Sequence, residues 1–347
     1  MLSISIYLLF YFLLLFPALF GIKIRKENKT ELLTKEESGF IKGVSALMVF
    51  LSHSQAFLAK NGQNGIVLKP FSVLGGIGVL LFFFLSGYGI YKGYADKEPT
   101  FKYWKNRIFK VLIPALIISF LSASIILFIK AGKIGIAQLF KDAISSQWYV
   151  DVVMLEYLIF FISWIIAGKE KGILLTISII GSIITGAVFW KIGLNERWYN
   201  GLLLFPAGML FGLLEKTIVK AQKKYKFIAL FVSLVGFALT GFLFSTLKGN
   251  LIGDFIKPLS GVFLASFMIL AVSFLKVGNP LISWIGERSL YIYLCHLNLL
   301  SLFYALNNKY ACIHKPEIWI YILLIGTVLY SELMFILLAK GLRGKKQ

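Results

Sequence analysis

Lys42 and His53 stand eleven positions apart in one apolar run, residues 40–54. At about 100° per residue this spacing returns both side chains to nearly one helix face, about 16 Å apart along the axis. One face then carries a cation near one end and an imidazole deep inside. Ionisable groups within a membrane span are costly and are by default candidates for function. The plainer alternative is that Lys42 snorkels to the interface and His53 bonds a neighbouring helix. A second imidazole, His296, lies about fifteen residues into an apolar run at 281–304 and reaches a similar depth by helical rise. Asp151 and Glu156, early in a run at 148–167, fall in the same half. Two histidines and two carboxylates in one layer are what a buried proton-transfer or substrate site requires, although four polar groups can also be satisfied separately by structural hydrogen bonds.

Three further segments could carry chemistry. Arg107 and Lys110 are three apart at the basic, aromatic start of a span, with Pro114 just beyond. On one helix face they could together hold a diphosphate such as that of coenzyme A, against the simpler role of orienting the helix and touching anionic lipid. The segment GGIGVLLFFFLSGYG (75–89) combines small residues, which let helices approach closely, with Ser86 near mid-membrane, where its hydroxyl can bond a helix or a substrate. Its glycines follow no strand and face no P-loop lysine, so a soluble-type nucleotide cradle is not supported. Trp148 and Tyr149 open the 148–167 run as interfacial aromatics. Cys295 and Cys312 show no framework or metal spacing and are expected to be free thiols. With three histidines in the chain, a structural zinc or haem site is not expected.

These residues need a membrane scaffold to position them. Of 347 residues 58% are hydrophobic and the mean hydropathy is +0.81, far too apolar for a soluble domain of this length. Apolar runs at 2–21, 39–58, 74–94, 109–129, 148–167, 172–190, 198–214, 226–246, 257–275, 281–304 and 318–340 predict an all-α polytopic transmembrane bundle of eleven helices. The runs are continuous and lack the alternation of a barrel. The net charge of +20 is scattered through short loops and forms no stripe, which argues against nucleic acid. Placing the N-terminus outside puts most Lys and Arg on the inner side, so the positive-inside rule predicts N-out and C-in. Residues 2–21 lack a basic n-region and an A-x-A-like cleavage site and are expected to be a retained helix. No loop can hold a soluble domain, and no internal repeat indicates a carrier.

Taken together the segments resemble the acyltransferase-3 family of integral membrane acyltransferases, which includes O-antigen and exopolysaccharide O-acetyltransferases. Lys42 and His53 within KGVSALMVFLSH match its Arg- or Lys-x10-His helix. GVLLFFFLSG (78–87) matches its G-x-x-F-F-x-x-S-G-like helix. Arg107, Lys110 and Pro114 match its basic R-x-x-[RK]-x-x-x-P motif, and SLYIYLCH (289–296) its late S-x-Y-[IL]-Y-L-x-H helix. The resemblance runs from about residue 38 to 340, which implies a ten-helix acyltransferase domain (38–347) behind an additional helix and charged loop (1–37). The chain departs from the family's W-S-L-x-V-E-E-x-F-Y pattern. It keeps Trp148, Val152 and Tyr157 and loses the glutamate pair, so that either Asp151 or Glu156 substitutes or the role is absent.

The resemblance implies a multi-pass plasma-membrane enzyme that moves an acyl group, expected to be acetyl, from acyl-CoA to a hydroxyl of an envelope polysaccharide or lipid-linked glycan. Acyl-CoA would be a co-substrate, with no permanently bound cofactor. His53 would be the general base, oriented by Asp151 or Glu156, and His296 a second base candidate. Lys42, Arg107 and Lys110 would receive the coenzyme's anionic groups, with Ser86 and Trp148 at the substrate. A covalent intermediate on Cys295 is the less favoured route. Expected partners are membrane lipids and the glycan acceptor; a homo-oligomer or a biosynthetic assembly is left open. The rival readings are a transporter or flippase whose buried His and carboxylates relay protons, and a non-catalytic component of an export assembly.

Overall fold

A computed structural model describes residues 16, 20, 22–25, 29–62, 72–132, 135–145, 148–247, 251–277 and 279–340. The expected helix at 2–21 and the basic tail lie almost wholly outside these. In chain order the elements are β1 (Lys23–Ile24), α1 (Lys35–Lys60), α2 (Leu74–Tyr94), α3 (Phe101–Arg107), α4 (Ile113–Ala131), α5 (Ile136–Ser145), α6 (Trp148–Ala167) and α7 (Lys171–Lys191). They continue with α8 (Leu204–Leu213), α9 (Glu215–Leu247), α10 (Leu251–Phe274), β2 (Leu275–Lys276), α11 (Pro280–Glu287), α12 (Ser289–Tyr310) and α13 (Pro316–Met334). The molecule is an all-α bundle, and among the described residues nine helices are long and apolar enough to cross a membrane. Its two short strands pair antiparallel, Lys23 with Lys276 and Ile24 with Leu275.

Between apolar helices in lipid, close packing and internal hydrogen bonds replace the hydrophobic drive of soluble cores. Helix α2 is the centre of that packing, lying against α1 and α8. Its glycines explain how. A Cβ at Gly87 would stand 1.9 Å from the Phe205 carbonyl oxygen, and one at Gly208 would stand 2.0 Å from that of Phe84, so α2 and α8 meet backbone to backbone. Helix α11 contacts α1 in the same way, with Gly286 against the Gly39 carbonyl. By contrast α9 packs mainly on α10 and presents Phe227, Phe231, Leu239 and Phe242 outward, a face suited to lipid.

Four sequence expectations change. The 198–214 run forms only the ten-residue α8, preceded by a 3-10 turn at Glu196–Trp198, and is shorter than an ordinary membrane-spanning helix. The 281–304 run is broken at Arg288 into α11 and α12. That side chain bonds the Glu332 carboxylate with both Nε and Nη2 and lies over Trp284 and Phe335 at 4.6 and 4.3 Å, so the break places a buried guanidinium beside its partners. The stretch between the predicted runs at 109–129 and 148–167 carries an additional helix, α5. Arg107 and Lys110 do not share a face, because residues 108–112 form a π-helical turn in which the Ile113 N–H reaches back to the Ile108 carbonyl. The wider turn rotates Lys110 out to an exposed position while Arg107 stays half-buried.

The charged segment before α1 is anchored by acids. Thr34 caps α1 in a reciprocal box with Glu37. Glu37, 1% exposed, also accepts hydrogen bonds from Arg25 at 2.6 Å and Lys29 at 2.5 Å. Burial holds the Lys29 amine below its usual pKa, an effect that the Glu37 hydrogen bond and charge oppose. Glu215 ties the same segment to α2 by accepting from the Leu32 N–H at 2.9 Å, the Tyr88 hydroxyl at 2.8 Å and Lys92.

Candidate active site

His53 and His296 meet. Their ring centroids are 5.2 Å apart with the planes at 51°. His53 has no hydrogen-bond partner within the described residues and lines a cavity of about 440 Å³. His296 is 1% exposed, and its Nδ1 lies 2.8 Å from the Ile292 carbonyl. A carbonyl only accepts, so Nδ1 carries the proton and Nε2 keeps its lone pair, buried without a partner among the described residues. The α12 backbone thus fixes the tautomer of one imidazole beside the face of the other.

The expected carboxylates do not join them. Glu156 is fully buried but accepts from the Ser182 hydroxyl at 3.0 Å, on the side of α6 that packs against α7. Asp151 is half-buried and makes no hydrogen bond to either histidine. Residues 151 and 156 are five apart, so on a regular helix they cannot both face the same neighbour.

A second cavity, of about 750 Å³, lies at the other end of α1. Lys42, Ser86, Tyr149, Tyr157, Ser289 and Tyr293 line it. Arg107 stands within electrostatic range of Lys42, and its guanidinium lies 4.8 Å over the Tyr157 ring, with Tyr103 and Tyr94 at 5.4 and 5.8 Å. Its buried Nε has no partner among the described residues. Lys42 and Arg107 therefore form the cationic pair that Arg107 and Lys110 were expected to form.

An aromatic layer separates the cavities. Tyr293 lines both. Tyr149 packs on Tyr293 at 5.2 Å and on Phe83 at 5.0 Å, and it shares a hydrogen bond with the Ser86 hydroxyl. It is therefore 8% exposed within the bundle and not an interfacial residue. Its neighbour Trp148 lines the His53 cavity instead. The aromatic stack also touches the histidines, with Tyr293 5.9 Å from His296.

Sequence reasoning missed much of the His53 cavity. Ser52, Arg197, Asn200, Lys257, Asn298 and Ser301 line it with the aromatics. Asn298 is two positions past His296, and Lys257 and Asn200 lie near helix ends; polarity inside apolar runs was the available signal. Ser52 and Ser301 lie on α1 and α12 themselves, and Arg197 comes from a 3-10 turn whose placement depends on packing. Cys295 is fully buried and, like Cys312, a free thiol.

Two cavities at opposite ends of one helix, divided by aromatics and served by a pair of imidazoles, suit the passage of a group from one bound molecule to another. Comparison with known proteins agrees with that geometry. A family model described as an acyltransferase domain matches residues 38–336. Over 90 residues the chain is 34% identical to the acyltransferase MdmB of Streptomyces mycarofaciens, a match covering 25% of this chain and 23% of that protein. The chain thus spans about a quarter of that relative's length. No solved structure matches the chain. The match across most of its length, together with the nine long apolar helices among the described residues, means that the chain belongs to the acyltransferase-3 family of multi-pass membrane acyltransferases.

Proposed function

We propose that this protein is a plasma-membrane O-acyltransferase that moves an acetyl group from acetyl-CoA to a hydroxyl of an envelope polysaccharide or lipid-linked glycan. The observation that carries the reading is His53, an imidazole without a hydrogen-bond partner among the described residues, at a cavity that a tyrosine layer divides from a second, cation-bearing cavity. The positive-inside asymmetry assigns the Lys42 cavity to the cytoplasm and the His53 cavity to the outer face.

In this reading Lys42 and Arg107 receive the coenzyme's phosphates, and the acyl-bearing arm passes Ser86, Tyr149 and Tyr293 toward His53. The acceptor hydroxyl attacks the thioester carbonyl from the outer cavity while His53 takes its proton. The tetrahedral intermediate collapses with cleavage of the carbon–sulfur bond. His53 returns the proton to the departing sulfur, leaving an ester and free coenzyme A. His296 packs against the His53 ring at 5.2 Å and so limits its orientation by contact. General-base help of this kind is worth roughly 10²–10⁴ in rate.

The test is mass spectrometry of envelope glycans and glycolipids from cells expressing wild type, His53→Ala or no protein, with membrane abundance matched. An acetyl mass increment found only with wild type supports the assignment. Absence of any increment, with folded protein and glycan present, would shift it to a carrier or an export-assembly component.

A further inference from the structure

We propose that the His53 cavity is built for an anionic acceptor, a hydroxyl compound that also bears a carboxylate or phosphate, and that Arg197 is the residue that selects it. The identity of this ligand as an acceptor rests on the acyl-transfer reading above; the charge selection does not.

The first observation is charge. His53, Arg197 and Lys257 line the cavity, and no acidic side chain does so among the described residues. Lys257 is partly compensated, with Glu196 at 4.0 Å, whereas Arg197 has no carboxylate within salt-bridge distance among the described residues. Arg197 stands within electrostatic range of Tyr293, so its charge acts on the wall shared by the two cavities. Its backbone is held in place because the Asn195 side chain caps the short turn by accepting from the Arg197 N–H at 3.2 Å. A guanidinium offers a planar fork of donors that matches a carboxylate or phosphate, a geometry an ammonium lacks.

The second observation is unmet hydrogen bonding. Asn200 and Asn298 also line the cavity and are only 2% and 8% exposed, yet Asn200 Oδ1 and Asn298 Nδ2 have no partner among the described residues. Buried polar atoms are ordinarily satisfied, so an acceptor and a donor left open at one cavity point to a polar ligand. Hydroxyl groups supply both complements. Lys257 crosses the glycine-opened start of α2, where a Cβ at Gly76 would lie 4.0 Å from its Cε, and that helix has no side-chain cap on its first N–H groups. The α2 terminus therefore adds positive potential to the same cavity.

The experiment uses the full chain in detergent and follows tryptophan fluorescence, with Trp148→Phe identifying the signal from the cavity. The probes are a glucuronate-containing disaccharide, glycerol phosphate and an uncharged disaccharide of matching size. Saturable binding of an anionic probe, at least about tenfold tighter than the neutral sugar and weakened about tenfold in Arg197→Gln, is the expected result. Arg197→Lys should recover part of that loss, and a monodisperse elution profile excludes misfolding. Comparing the two anionic probes separates a carboxylate sugar from a phosphate-bearing acceptor. Equal affinity for neutral and anionic probes, unchanged anion binding in Arg197→Gln, or no anion binding by the folded protein would overturn the proposal. Anion-selective binding with no acetyl transfer from acetyl-CoA would instead overturn the acyltransferase reading and leave the charge selection standing.

Discussion

The imidazoles of His53 on α1 and His296 on α12 face one another with ring centroids 5.2 Å apart. Groups in such contact act as a unit, and their substitutions should not add. His53→Ala should lower acetyl transfer by about 10²–10⁴. His296→Asn should lower it less, and the double variant should match His53→Ala alone. Steady-state kinetics on membranes with equal protein would show this, and losses that multiply would separate the two residues.

Removing the aromatic layer should uncouple thioester cleavage from transfer. Tyr293 lines both cavities, so Tyr293→Ala should let water from the His53 side reach the donor. Free thiol should then appear from acetyl-CoA without acceptor, faster than in wild type, and the release should need His53. Unchanged thiol release would mean that Tyr293 does not divide the two compartments.

The donor cations should separate by position. Lys42→Ala and Arg107→Ala should each raise KM for acetyl-CoA by roughly tenfold, the loss of one charge-assisted contact, and leave KM for the acceptor nearly unchanged. Lys110→Ala should do little, since the π-helical turn holds that side chain at an exposed position. Equal losses for both substrates would defeat the assignment of Lys42 to the donor.

Glu37 should be essential for folding of the segment before α1. It is 1% exposed and bonds Arg25 and Lys29, so Glu37→Ala strands two cations, one of them nearly buried, at a cost of about 3–5 kcal/mol. A lower thermal midpoint in detergent would register this. The exposed Asp96 tests the opposite case. Its hydrogen bond to Lys171 holds its carboxyl below the usual value. A depressed carboxylate pKa contributes stability above the unfolded value, near pH 4, and loses it as the pH falls through the folded value. Because both partners face solvent, Asp96→Asn should leave the midpoint at neutral pH unchanged.

Gly87 and Gly208 allow no side chain. Alanine at either would put Cβ about 2 Å from a carbonyl oxygen across the α2–α8 contact. Both variants should accumulate poorly in the membrane, and Gly89→Ala, with open space around it, should accumulate normally.

Sequence alone determined what local chemistry controls. Continuous apolar runs fixed an all-α membrane bundle, because lipid offers backbone groups no partners outside a helix. The spacing of Lys42 and His53 placed a cation and an imidazole at two depths of one helix, and the ordered motifs identified the family. Tertiary structure decided everything that depends on which faces meet. Glu156 turned toward Ser182 and away from His53, since its direction follows from packing against α7. Arg107 found Lys42 and lost Lys110, because a π-helical turn changed a face that regular periodicity assigns. Arg288 stands where an apolar run divides in two, with its guanidinium bonded to Glu332 on a helix that the sequence does not pair with it. Tyr149, Arg197, Asn200 and Lys257 came to the site from elements distant in sequence, through helix contacts whose partners only packing selects.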